Sequence, residues 1–201
     1  MNFNSKVLES AVNELSRFPG VGKKTALRMV VHLLKTDRSV VNKLAQSLLE
    51  LKEKIGKCSI CGNISEANVC TICNAVNRQK SIVCVVRDFQ DVLALENTGQ
   101  YNGVYHVLGG LISPMDGIGP EDINITALLT RVEKGEIAEI IMALSATMEG
   151  DTTAFYISKI LTDYNLQFSS ISRGIAVGGE LEFADEITLG RSIKDRVPFN
   201  N

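Results

Sequence analysis

No apolar stretch in this chain is long enough to cross a bilayer, which takes about 20 consecutive residues. The first residues, MNFNSKVLESAV, lack the charged-then-apolar build of a secretory signal. A soluble cytoplasmic protein is therefore the expectation, and the sequons at Asn63 and Asn124 then carry no meaning, because glycosylation needs secretion. Histidine is nearly missing. Its two copies, His32 in a helical stretch and His106 in a strand-like one, have no neighbouring cysteine or carboxylate arranged for catalysis, and both are expected as core or surface residues. Internal repeats and low-complexity segments are missing too, which excludes a repeat array.

What is present is enough apolar material for a sizeable core, 45% of 201 residues, in one large domain or two to three small ones. A net charge of −2 hides a strong asymmetry. Residues 1–57 carry eleven Lys/Arg against five Asp/Glu, or +6, and residues 58–80 carry two against one, or +1. Residues 81–201 carry eight against seventeen, or −9. A basic amino-terminal block favours contact with a polyanion. The acidic remainder suits a metal site, a basic partner or a solvated surface.

Helical periodicity runs through 5–17, 23–35 and 39–54, broken at Pro19-Gly20 and ended by Gly56. Residues 58–80 are cysteine-rich and lack a helical period. From Ser81 onward, strand-like runs (81–86, 104–108, 139–145, 167–172) alternate with helical ones (88–97, 125–135, 151–164). This alternation predicts a parallel sheet covered on both faces, with Asp151 or Thr152 as the cap of the last helix. After Arg173, a Gly-rich stretch and GELEFADEITLGRSIKDR predict a turn of strand and a short helix. The expected class is α+β with four parts: a helical domain at 1–57, a small cysteine module at 58–80, an α/β domain at 81–173 and a carboxy-terminal segment at 174–201.

The stretch SRFPGVGKKTALRMV (16–30) admits three readings. A phosphate-binding loop needs glycine where Arg17 stands and Ser/Thr where Lys24 stands, so it fails. A plain helix–helix turn remains open. The third reading adds an anion site. Gly20 and Gly22 can take positive φ and allow close approach, and a helix starting at Lys23 offers free N–H groups and a positive dipole end. Lys23, Lys24 and Arg28 then reach flanking phosphates. No base-edge reader is apparent, so binding would be independent of sequence. Leu15, Phe18, Pro19, Gly20, Val21, Gly22, Ala26 and Met29 resemble the helix-hairpin-helix motif of DNA-binding proteins.

Cys58-x2-Cys61 and Cys70-x2-Cys73 have the spacing of two zinc knuckles, able to set four thiolates around one structural Zn²⁺. Paired disulfides and a redox-active C-x-x-C are the alternatives; the first is disfavoured in cytoplasm, and the second lacks its usual helical setting. Cys84, in mid-strand, is expected as a buried small hydrophobe. In a parallel sheet, ligands approach the carboxyl ends of the strands, where Asp88, Asp91, Glu149 and Asp151 either cap helices or converge on Mg²⁺. This half resembles a Toprim domain, although Arg87 stands where the catalytic form has glutamate and no Asp-x-Asp follows the third strand.

The order of hairpin, four-cysteine knuckle and Toprim-like domain resembles the RecR family of bacterial recombination mediators. YHVLGGLISP (105–114), DGIGP (116–120), EGDTT (149–153), RGIAVGG (173–179) and EFAD (182–185) match it too, with Arg87 and Ser145 replacing the usual glutamate and asparagine. The resemblance implies a non-enzymatic, nucleoid-associated protein that binds double- and single-stranded DNA as a homotetrameric ring. It implies action with RecO, and in many bacteria RecF, to load RecA onto strands covered by single-strand-binding protein. Lys24 and Arg28 carry over as DNA contacts, and the acidic Toprim surface as the RecO contact. The resemblance also makes 174–201 an oligomerisation segment; its 182–185 stretch is likened to a Walker B element, but no Walker A accompanies it, so no ATP hydrolysis is expected. A Mg²⁺-dependent Toprim nuclease or strand-passing enzyme is the rival reading, and a zinc-stabilised adaptor without DNA contact is a third.

Overall fold

The computed structural model describes residues 4–175 and 177–198 and divides into two units, Met1–Ile55 and Gly56–Asn201. The first unit holds α1 (Lys6–Leu15), α2 (Lys23–Lys35) and α3 (Arg38–Lys54). Ser5 caps α1, its hydroxyl accepting from the Leu8 N–H at 3.4 Å. The core here is small: Val12, Ala26 and Val30 are buried, with Leu8, Leu15, Val21 and Leu27 packed around them. Helix α3 buries no residue, and its stripe of Val40, Leu44, Leu48 and Leu51 stays about half exposed.

The second unit opens with a two-stranded antiparallel ribbon, β1 (Gly56–Lys57) and β2 (Ile64–Ser65), followed by the single-turn α4 (Thr71–Asn74). A four-stranded sheet follows, formed by β3 (Gln79–Val86), β4 (Gly103–Val107), β5 (Glu139–Ala143) and β6 (Gln167–Ser170) in the order β4-β3-β5-β6. Every pairing in it is parallel. Alternation along β3 sends Val83 and Val85 to one face and Cys84 and Val86 to the other. The first face packs on α6 (Ile125–Glu133) and α7 (Met148–Ile160) through Leu128, Val132, Ile157 and Leu161. The second packs on Val92 of α5 (Phe89–Asn97). The expected two-sided parallel sheet is thus present, with Cys84 buried in mid-strand.

Two expectations need correction. Helix α7 begins at Met148, and its cap is Thr147, whose hydroxyl accepts from the Gly150 N–H at 3.2 Å, rather than Asp151 or Thr152. The C-terminal segment has no strand among the described residues; Leu181–Phe183 is a 3-10 turn, followed by α8 (Glu186–Lys194) capped by Asp185. The competing signal was local in both cases. A hydroxyl ahead of α7 out-competed a charge inside it, and the Leu-Glu-Phe triplet was too short to pair.

Gly150 matters for the turn that follows β5. A Cβ there would lie 2.0 Å from the Ser145 carbonyl oxygen, which is backbone and cannot swing away. Gly150→Ala is expected to destabilise the second unit by about 1–3 kcal/mol, the usual cost of forced overpacking. Urea unfolding of the variant checks this, and an unchanged midpoint contradicts it.

Candidate nucleic-acid interface and metal centre

Between α1 and α2 the chain turns within four residues. The Val21 N–H donates to the Phe18 carbonyl at 3.0 Å, closing a turn with Pro19 second and Gly20 third. Gly20 has φ +76°, which a third position of this kind favours in glycine. Gly22 departs from the expectation of positive φ: at φ −78°, ψ 163° it is extended and serves as the N-cap of α2. It brings no capping side chain, and a Cβ at Gly20 or Gly22 would meet nothing within 4 Å. The N–H groups of Lys23, Lys24 and Thr25 have no hydrogen-bond partner among the described residues, and no acidic residue occupies that first turn.

Lys23, Lys24 and Arg28 are all exposed and make no ion pair among the described residues, unlike Arg17, which is matched by Glu14 at 2.9 Å. Arg28 stands about 160° around the helix from both Ala26 and Val30, the buried positions, with Lys24 one turn behind it on the same outer face. The arrangement is a free helix N-terminus flanked by three unmatched cations, which is what an incoming phosphate requires.

The four cysteines meet in the second unit. Their sulfurs all lie within 4.8 Å of one another, with Cys61 and Cys70 3.6 Å apart, and none is in a disulfide. Zinc–sulfur bonds of about 2.3 Å in a tetrahedron call for sulfur–sulfur edges of about 3.8 Å, so the cluster fits one zinc ion. Backbone donors already favour thiolate: the Cys70 N–H points at Cys58 Sγ at 3.3 Å and the Cys73 N–H at Cys70 Sγ at 3.4 Å. Burial opposes ionisation of Cys58, but N–H groups of Cys70, Cys61 and Ile60 together bring its thiol down to about 7. Cys61 is pushed up by its bond to Cys73 and by burial, with smaller repulsion from Cys73 and Cys58.

The knuckles are fastened to the sheet. The Val107 N–H at the end of edge strand β4 donates to the Cys61 carbonyl at 2.7 Å. At Gly62, φ +74°, a Cβ would sit 2.7 Å from Asn124 Nδ2 and 2.9 Å from the Val107 carbonyl oxygen. Between knuckle and β3, the Arg78 guanidinium forks onto the Glu96 carboxylate, which also accepts from the Tyr105 hydroxyl at 2.7 Å.

The carboxylates after the strands are, Glu149 apart, drawn into caps and ion pairs. Asp88 and Asp91 form a capping box at the start of α5, and Arg87 Nε donates to Asp88 at 2.9 Å. Asp151 accepts from Arg173 at 2.6 Å and lies 3.7 Å from Arg191; the Arg173 bond, with the charges of both arginines, holds its carboxyl below the usual range. Glu149, in the first turn of α7, is exposed. Among the described residues, the only group of three or more His, Cys, Asp or Glu placed to share an ion is the four cysteines. Of the four carboxylates expected either to cap helices or to converge on Mg²⁺, Asp88 and Asp91 cap α5, Asp151 pairs with arginines and Glu149 makes no ion pair among the described residues. Sequence reasoning missed the Asp151–Arg173–Arg191 cluster, since the partners lie 22 and 40 positions away with no periodic signal joining them. His106 is fully buried, and burial lowers it to about 4 despite its 2.7 Å bond to the Asn124 carbonyl; His32 is exposed.

Comparison with known proteins decides the family. The RecR helix-hairpin-helix matches residues 8–52, the RecR four-cysteine zinc finger domain residues 55–75, the Toprim domain residues 81–172 and the RecR C-terminal region residues 174–197. Recombination protein RecR of Flavobacterium psychrophilum is 58% identical over 201 residues, covering 100% of this chain and 98% of its own. The chain belongs to the RecR family. The RecR proteins of Flavobacterium johnsoniae and Cytophaga hutchinsonii are each 56% identical, over 99% of this chain and 97% and 98% of theirs. The zinc site of this RecR family member accordingly coincides with the family's four-cysteine finger, and its hairpin with the family's amino-terminal module.

Proposed function

We propose that the chain is a DNA-binding mediator of recombinational repair, acting without catalysis of its own. The observation that carries this reading is the uncapped N-terminus of α2 with Lys23, Lys24 and Arg28 unmatched around it. Such a site grips sugar-phosphate backbone through N–H groups and charge, and so takes double- and single-stranded DNA of any sequence. One hairpin neutralises few phosphates, so a single copy binds weakly and salt-sensitively; copies joined in a ring raise affinity through effective concentration. A homotetramer is the assembly proposed. The half-exposed stripe on α3 and the exposed Phe183, Ile187 and Ile193 supply apolar surface for joining copies.

The acidic block after residue 81 is the proposed contact for RecO, with RecF as a further partner and RecA loading onto SSB-covered strands as the outcome. Action at the nucleoid in the cytoplasm follows from that role. Nothing favours the nuclease reading, since Asp88, Asp91 and Asp151 are already engaged. Light scattering during DNA titration, with and without purified RecO, tests the proposal. The expected result is a tetramer that binds both duplex and single strands at low salt and forms a larger complex with RecO; failure of the intact zinc-loaded protein to bind either DNA rejects it.

A further inference from the structure

Beside the zinc knuckle lies a hollow of about 690 Å³, bordered by the knuckle and by the carboxyl ends of β3 and β4. Lys57, Cys58, Ile60, Phe89, Asn124 and Ala127 stand on its wall. All four cysteines are buried, but of the four only Cys58 lines this hollow. A small solute that enters it meets one zinc ligand and not the other three.

Cys58 also has a reaction partner in place. The Cys70 N–H points at Cys58 Sγ at 3.3 Å, and the four sulfurs lie within 4.8 Å of one another. Cys61 and Cys73, bonded to each other, form the other pair. Sulfurs that ligate zinc are thiolates, the form that oxidants attack. Little packing holds them apart, since only the partly buried Val69 and Ile72 lean on the four. Cys84 is the contrast. It is buried in mid-strand, none of the residues packed around it is a cysteine, and burial pushes its thiol up to about 12. A protonated and sealed thiol is inert.

We propose that Cys58 is an oxidation site, reached by a small peroxide through this hollow, and that its oxidation releases the zinc ion. The Cys58 thiolate takes one oxygen of hydrogen peroxide, giving a sulfenic acid and hydroxide. The Cys70 thiolate then attacks the Cys58 sulfur, expels a second hydroxide and closes a Cys58–Cys70 disulfide. The two sulfurs lose two electrons to the peroxide, and two protons from solvent convert both hydroxides to water. Two of the four ligands are then spent, and Cys61 and Cys73 alone make half of a tetrahedral site. The knuckle also slips from the β4 edge. Its hold there is the Cys61 carbonyl, which accepts from the Val107 N–H, in a turn closed by the Gly62 N–H on the Cys58 carbonyl. A thiol reductant with Zn²⁺ reverses the change. The inference concerns the zinc ligands alone and stands whether or not the chain binds DNA.

The test treats the full-length, zinc-loaded protein with hydrogen peroxide. A chromogenic chelator follows zinc release, dimedone in excess traps sulfenic acid, and mass spectrometry maps the products. The expected result is loss of the bound zinc together with two free thiols, dimedone on Cys58, and a Cys58–Cys70 linked peptide when dimedone is left out. Cys84 stays free, and dithiothreitol with Zn²⁺ restores every thiol. Ala127→Leu, which adds bulk to the wall of the hollow, is expected to keep its zinc and to release it more slowly; if that variant does not hold zinc, dimedone mapping of the parent decides. The exposed Met115 and Met148 calibrate the oxidant dose. The proposal is overturned if zinc stays bound at doses that turn both methionines to sulfoxide, if dimedone marks Cys61 or Cys73 ahead of Cys58, or if a zinc-loaded Ala127→Leu releases its metal as fast as the parent.

Discussion

Chelating zinc from the full-length protein is expected to abolish the fold of residues 56–75 and to loosen the β4 edge of the sheet. Apart from the four cysteines, the knuckle's apolar packing comes only from the partly buried Val69 and Ile72, so little besides the metal holds it. Binding energies of about 10–16 kcal/mol are typical of structural zinc in finger peptides, as large as a whole small domain's stability. The effect spreads because the Cys61 carbonyl accepts from the Val107 N–H and Gly62 packs on the Val107 carbonyl and Asn124. Amide exchange should therefore accelerate throughout the knuckle and at Val107, while Val83 and Ile140, deep in the sheet, stay protected. Cys61→Ser should reproduce the pattern. Equal protection of the knuckle with and without metal would mean that packing alone suffices.

Lys24→Ala/Arg28→Ala should lower the affinity for duplex DNA uniformly across sequences and flatten its salt dependence. Two lost phosphate contacts reduce the slope of log affinity against log salt by about 1.8. The deficit relative to the parent then shrinks about twelvefold between about 50 and 200 mM salt, which anisotropy titration resolves. Lys24→Arg/Arg28→Lys keeps both charges and should restore the slope. A slope indistinguishable from the parent would move the DNA contact away from α2. Both side chains are exposed on the face opposite Ala26 and Val30, so the substitutions should leave the helix intact.

Several features of both units were legible from residue order. Apolar residues spaced at three and four located α1, α2 and α3, and short strand-like runs located β3 to β6 but not the β1-β2 ribbon, because those periods follow from local backbone geometry. The two C-x2-C pairs announced the metal site, since short spacing forces thiolates together whatever surrounds them. Cap choice was less legible. Thr147 and Asp151 are both good capping residues, and it is Thr147 that accepts from the Gly150 N–H, where the backbone runs tight against the Ser145 carbonyl.

By itself, then, the sequence determined the local elements, the zinc ligands and the cationic start of α2, all settled within a few neighbouring residues. Only tertiary structure decided what Asp151 does. Asp88 and Asp91 cap α5 from within four residues, a local arrangement, whereas Asp151 meets Arg173 and Arg191 from 22 and 40 positions away. Ionised groups take the nearest donors that folding delivers, and chain distance does not tell which those will be.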